Sequence, residues 1–137
     1  MIRHLAHPAG LPAPTRMSHV VVAPPGASTV YVAGQTAFDA EHRLVGAGDV
    51  YAQTVQAYRN LATALASVGA TMADVVKSTI YVVGVTPEKL TAFMRGMDDA
   101  LGAPMPPTAS TFVGVESLAY PELLVEIDAI AVVAATS

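Results

Sequence analysis

Cysteine and tryptophan are absent from the 137 residues, and charge is scarce. Without a thiol there is no disulfide framework, no Cys-ligated zinc and no iron–sulfur site, a pattern that fits a reducing compartment. Only 13% of residues are charged, against roughly 25% in soluble domains. Seven Lys and Arg face eleven Asp and Glu. The cations are scattered, so no basic stripe is set out for phosphates, and nucleic acid is not an expected partner. Long apolar runs are missing too. The longest uncharged one is Ala129–Ala135, far short of the roughly 18 residues of a spanning helix. Met1-Ile2-Arg3-His4-Leu5 lacks a sustained apolar segment, so no secretory signal is expected and the cytoplasm is the expected location. His4, His7, His19 and His42 are all N-terminal and lack HExxH-type spacing. No nucleophile elbow, Walker loop or dinucleotide fingerprint occurs, so neither a metal nor a cofactor is expected.

What the chain has in quantity is apolar surface: 53% of residues are hydrophobic and mean hydropathy is +0.47. This excludes disorder. The length accommodates one domain, taken as residues 1–137. A domain this small cannot bury all its apolar groups internally, so part of the excess is expected to pack against identical subunits. The alternative is a monomer with many small exposed apolar side chains.

Periodicity supplies the elements. Residues 1–17 hold Pro8, Gly10, Pro12 and Pro14 and predict an irregular leader. Ser18–Ala23 and Thr29–Ala33 flank Pro24-Pro25-Gly26 and predict a hairpin. After a loop over Ala37–Gly48, Asp49–Val68 predicts a helix capped by Asp49 and closed by Gly69. Its apolar stripe is Tyr51, Val55, Tyr58, Ala62 and Leu65, with Gln53, Gln56 and Arg59 opposite. Val75–Val83 reads as a strand. Thr86-Pro87 starts a second helix with its stripe on Leu90, Phe93, Met94, Met97 and Leu101, ending at Gly102. Ser110–Val115 and Leu123–Val133 are the last strands. Two helices on one face of a single mixed sheet would bury both stripes. The apolar residues Val20, Val22, Val30, Val32, Ile80, Val82, Val113 and Val115 suggest a second sheet face covered by another subunit.

Glu126 stands out, because Leu124-Val125-Glu126-Ile127-Asp128-Ala129-Ile130 otherwise reads as a buried strand. Alternation places Glu126 and Asp128 on one face and Val125, Ile127 and Ala129 on the other. A carboxylate held there away from bulk water is suited to proton exchange with a substrate. An edge strand with its acids in water accounts for the same pattern.

Four stretches in order resemble the Rid (YjgF) family, also called liver perchloric-acid-soluble proteins. They are Val30-Tyr31-Val32-Ala33-Gly34-Gln35, Gln53-Thr54 with Asn60-Leu61, Asp74-Val75-Val76-Lys77-Ser78-Thr79, and Leu124 through Ala131. The resemblance implies a chorismate-mutase-like α/β fold, with one mixed sheet, two helices on one face and a homotrimer whose sheets face inward. It also implies ligand clefts between subunits and hydrolytic deamination of reactive enamines and imines. In deaminating members an arginine of a P-A-R-S/T segment grips the substrate carboxylate, and a glutamate of a "vEIe" segment positions or activates water.

By this resemblance Glu126 is the catalytic acid, and Gly34-Gln35 form the cleft-wall turn. The arginine has no counterpart: Ser110 takes its place without gaps, Ala109 with a one-residue shift. Met17 stands for the family's aromatic, Ala33 for its serine, and Met94 lies near its usual asparagine. Hydrogen bonds to charged groups contribute about 1.5–3 kcal/mol each, so losing a bidentate arginine costs on the order of a hundredfold in affinity for a carboxylate. Met17, Ala33, Gly34, Gln35, Met94, Ser110, Thr111 and Phe112 are the expected binding residues, with backbone N–H groups near Ser110-Thr111 holding a polar substrate end. Arg16 and Arg95 are the candidates for a relocated cation, against a reading of both as solvated. The expected function is enamine or imine hydrolysis. The alternative is a trimer that binds a small metabolite without turnover. Ribonuclease activity, also attached to this family, conflicts with the acidic balance.

Overall fold

The computed structural model describes residues 1–102 and 104–135. A short antiparallel pair joins β1 (Arg3–Leu5) to β2 (Val20–Val22). The main sheet comprises β3 (Ser28–Gln35), β4 (Val75–Val83), β5 (Ala109–Val115) and β6 (Val125–Val133), in the order β3-β6-β4-β5. Its β4–β5 pair is parallel and the other two are antiparallel. The parallel pair requires a crossover, which α2 (Pro87–Leu101) supplies. Helix α1 (Val50–Ala66) packs beside it on the same face, giving the two-layer α+β arrangement expected from the pattern.

The caps fall where the sequence puts them. Asp49 accepts from Ala52 N at the start of α1, and Thr86 accepts from Lys89 N at the start of α2. Gly102 closes α2 at φ 69°. The helices approach closely at Gly96, where a Cβ would lie 2.9 Å from both Thr54 Cβ and Tyr51 O. Between helices and sheet lie Tyr58, Leu61, Leu65, Phe93, Val82 and Ile127, all fully buried. Each large apolar side chain there contributes about 1.5–3 kcal/mol.

Three expectations are corrected. The predicted hairpin does not form: β2 pairs with β1 inside the supposed irregular leader, and β3 pairs with β6 at the far edge of the main sheet. The buried stripe of α1 is rotated, with Gln53, Thr54 and Ala57 inside and Ala62 exposed. Gln53 is fully buried because its amide donates to Gly46 O and Glu122 O and accepts from Leu124 N, a set of bonds that offsets its desolvation. Finally, Val30, Val32, Ile80 and Val82 point toward the helices, and Val20 and Val22 belong to the separate pair, which leaves only Val113 and Val115 of that set on the opposite face. That open face is more polar than expected.

Candidate functional site

Strand alternation sorts the open face. In β6 it receives Glu126, Asp128 and Ile130, and in β4 it receives Lys77, Thr79 and Tyr81. Tyr81 stands opposite Glu126 and Thr79 opposite Asp128. β5 adds Ala109, Thr111 and Val113, and β3 adds Tyr31, which is 78% exposed.

Glu126 is half-buried. It can lie over the edge of β3 because the bulge between Val32 and Gln35 presents Gly34, a residue without a side chain, at that point. Asp128 accepts from Thr79 N at 3.2 Å and from the Tyr81 hydroxyl at 3.3 Å. The charge of Asp128, followed by desolvation and the hydrogen bond, raises the Tyr81 pKa, and Glu126 adds to the shift. Tyr81 therefore remains an O–H donor beside two carboxylates. Lys77 Nζ donates to Thr111 Oγ1 at 2.8 Å. A shallow concavity on this face touches Tyr31, Gly34, Lys77, Thr79 and Asp128.

A second concavity, of about 180 Å³, lies on the helix side of the sheet beside β5. Met17, Phe93, Met94, Met97, Met105 and Phe112 give it apolar walls, while Arg16, Thr108 and Ser110 supply polar atoms. The leader is fastened over it by Ser18, whose N–H donates to Thr108 O and whose hydroxyl donates to Pro107 O at 2.6 Å. Arg16 adopts φ 63° and pairs with Asp98 on α2.

The expected binding residues therefore separate. Ala33, Gly34, Thr111 and Glu126 share the open face. Met17, Met94, Ser110 and Phe112 line the helix-side cavity. Gln35 lies at neither, on the rim of α1 near Asn60. The reason is register: Ser110 stands beside the fully buried Ser78 and Thr111 beside Thr79, so adjacent residues of β5 serve opposite layers. Of the two candidate cations, Arg16 is tied to Asp98, and the Arg95 guanidinium stacks 4.5 Å from the Tyr51 ring centre on the helix layer. Lys77, Thr79 and Tyr81 went unpredicted as site residues, although alternation along Val75–Val83 carried the signal. Among the described residues no three His, Asp or Glu side chains gather closely enough to hold a metal ion, and no helix is long and apolar enough to cross a membrane.

A family model described as Endoribonuclease L-PSP matches residues 10–133. The chain belongs to that family, the Rid (YjgF) proteins. Among solved structures it is similar to the conserved Rid family protein YyfB of Yersinia pestis, at 40% identity and TM-score 0.84 over 96% of this chain and 98% of that one. It is also similar to Rv2704 of Mycobacterium tuberculosis, of the YjgF/YER057c/UK114 family, at 37% identity and TM-score 0.58 over 85% and 86%. A third similar structure is a putative endoribonuclease, TM0215 of Thermotoga maritima, at 26% identity and TM-score 0.65 over 96% and 94%. Comparison with curated protein sequences yields no match.

Proposed function

We propose that this Rid protein is a cytoplasmic hydrolase that deaminates a small enamine or imine on the open sheet face, with neighbouring copies in a homotrimer enclosing that face. The observation that carries this reading is Glu126, a half-buried carboxylate fitted against Gly34 and opposite the Tyr81 phenol. Glu126 accepts a proton from water as the water oxygen bonds to the imine carbon, and it returns a proton to the nitrogen. The added hydroxyl then gives up its proton, which passes by way of Glu126 to the nitrogen as the C–N bond breaks, so that ammonia leaves with the electron pair and the carbon becomes a carbonyl. Tyr81, kept protonated, donates to the acid cluster and holds it in place. An enamine enters the same sequence after gaining a proton at carbon.

Both edges of the sheet bear on the assembly. Among the described residues β3 and β5 each pair on one side only, which leaves both edges available for a head-to-tail contact that would close a ring. Such a ring would bring Glu126 of one copy near the cavity of the next and reunite the two groups of expected binding residues.

The test is ammonia release from freshly generated imines of varied side chain. Wild type is expected to release ammonia above buffer and Glu126→Gln to lose at least a hundredfold. Equal rates in the two, or a monomer by sedimentation, would refute the reading. Metabolite binding without turnover draws on one observation, the methionine-rich cavity on the helix side. It predicts thermal stabilisation by an apolar ligand that is recovered unchanged. Ribonuclease activity is disfavoured by the open face itself, where Glu126 and Asp128 outnumber the single cation Lys77.

A further inference from the structure

The leader closes one side of the helix-side cavity, and little holds it there. Thr15, Arg16 and Met17 form that wall, and Met94 and Met97 of α2 line the same space. Residues 6–19 make an Ω-shaped loop. Its ends meet where His19 N donates to Ala6 O at 3.3 Å, next to the β1–β2 rung of Leu5 opposite Val20. Inside the loop the bonds are its own: Leu11 N donates to Pro8 O, the His7 ring to Leu11 O and the His19 ring to Pro12 O. Pro8, Pro12 and Pro14 restrict its backbone further, so it is stiff between its ends. Its base is fixed to the segment before β5 by the buried Ser18, and by the His4 ring, which donates to Pro107 O at 2.9 Å. Beyond that base, among the described residues, a single polar contact joins residues 7–17 to the helices or the main sheet. It is the ion pair of Arg16 with Asp98 on α2.

We infer that residues 6–19 are a hinged lid over this cavity and that the Arg16–Asp98 pair is its latch. The pair is suited to opening. Its side chains are 36% and 34% exposed, so water and salt compete with it, and an ion pair so placed holds weakly. The backbone opposes it as well. Arg16 sits at φ 63°, in the left-handed region that L side chains rarely adopt, and such strain persists only while surrounding contacts impose it. Releasing Asp98 lets Arg16 relax, and Met17, the next residue, leaves the cavity wall with it. Ser18 stays behind as the hinge, held by its N–H on Thr108 O and its hydroxyl on Pro107 O. The open lid uncovers a passage to Met97, which is only 5% exposed when the lid is closed. Both functional readings draw on this cavity, so under either the lid governs entry to it.

The chain has no cysteine, so a single one introduced in the cavity reports access to it. The full-length Met97→Cys protein is labelled with methyl methanethiosulfonate, a small neutral thiol reagent, at rising salt. Where the lid recloses faster than the thiol reacts, the labelling rate follows the open population. Salt is expected to speed labelling by about two- to fivefold, the shift that follows loss of one half-exposed ion pair. Arg16→Gln and Asp98→Asn, each added to Met97→Cys, are expected to give the same acceleration and to remove the salt effect. Loss of a cation and loss of an anion act in opposite directions on a nearby thiolate, so a rise in both variants isolates the lid. A rate unmoved by either substitution overturns the latch. So does a rate raised by Asp98→Asn but lowered by Arg16→Gln, or an acceleration matched by an equal fall in global stability against urea. Met94→Cys, half-buried on the same cavity, stands in with the same outcomes if Met97→Cys fails to fold.

Discussion

A Cβ added to Gly34 would lie 2.7 Å from Glu126 Cδ and closer still to its carboxylate oxygen. Gly34 is not in the left-handed region, so its requirement is for space rather than for backbone freedom. Gly34→Ala is therefore expected to fold normally and to push the Glu126 carboxylate off the edge of β3. A displacement of about 1 Å at a reacting group can cost on the order of a hundredfold in rate. Ammonia release should fall to that extent while the melting temperature moves little. Unchanged turnover in Gly34→Ala would mean that the carboxylate needs no fixed position.

Tyr58 presents the opposite case. Its ring is fully buried between α1 and α2, 5.9 Å from Phe93, and its hydroxyl has no hydrogen-bond partner. Burial pushes this phenol well above the ordinary tyrosine range, with Arg16 opposing and Asp98 reinforcing the shift. A buried donor left unsatisfied costs about 1–3 kcal/mol, whereas the ring keeps its packing without the oxygen. Tyr58→Phe should stabilise the fold by about 1 kcal/mol, which raises the melting temperature by a few degrees. A lower melting temperature would show that the hydroxyl finds a partner in solution.

Much of the fold was legible because its signals are local. Val75–Val83 alternates cleanly, Thr86-Pro87 carries its own helix start, and Gly102 its own stop, so these boundaries could be read from short stretches. The β1–β2 pair could not, because Arg3–Leu5 gains strand character only from its partner. Gln53 reads as exposed because polarity hides what its amide binds: a carbonyl in the turn before α1, and a carbonyl and an N–H in the distant loop before β6. The site was half legible. Alternation placed Glu126 on the open face, but separating Met17, Met94 and Ser110 from it required the register of β4 on β5, which no window of sequence contains.

The Gln53 side chain ties α1 to two segments, the turn before it at Gly46 and the loop before β6 at Glu122 and Leu124. Gln53→Leu keeps the volume but leaves Gly46 O, Glu122 O and Leu124 N without that partner. Several backbone groups lost together cost about 2–4 kcal/mol, a large share of the stability of a domain this size. Urea denaturation should show a lower midpoint with an unchanged slope. Loss of under about 0.5 kcal/mol would place the stability of this corner in packing alone.

The two tyrosines bonded to carboxylates give the protein an alkaline limit. Tyr51 donates to Asp99 at 2.5 Å, and that bond, ahead of desolvation, raises its pKa; Tyr81 is raised chiefly by the charge of Asp128. In the unfolded chain both phenols titrate near pH 10. Because their folded values lie higher, the folded state holds its protons where the unfolded state has begun to release them. Their contribution is complete below about pH 10 and is lost as pH rises through the folded values. Unfolding free energy should therefore decline above about pH 10, and Tyr81→Phe should make that decline shallower while leaving stability at pH 7 nearly unchanged. Denaturant titrations between pH 8 and 11 would check this, and an identical alkaline slope in the variant would remove Asp128 from the account.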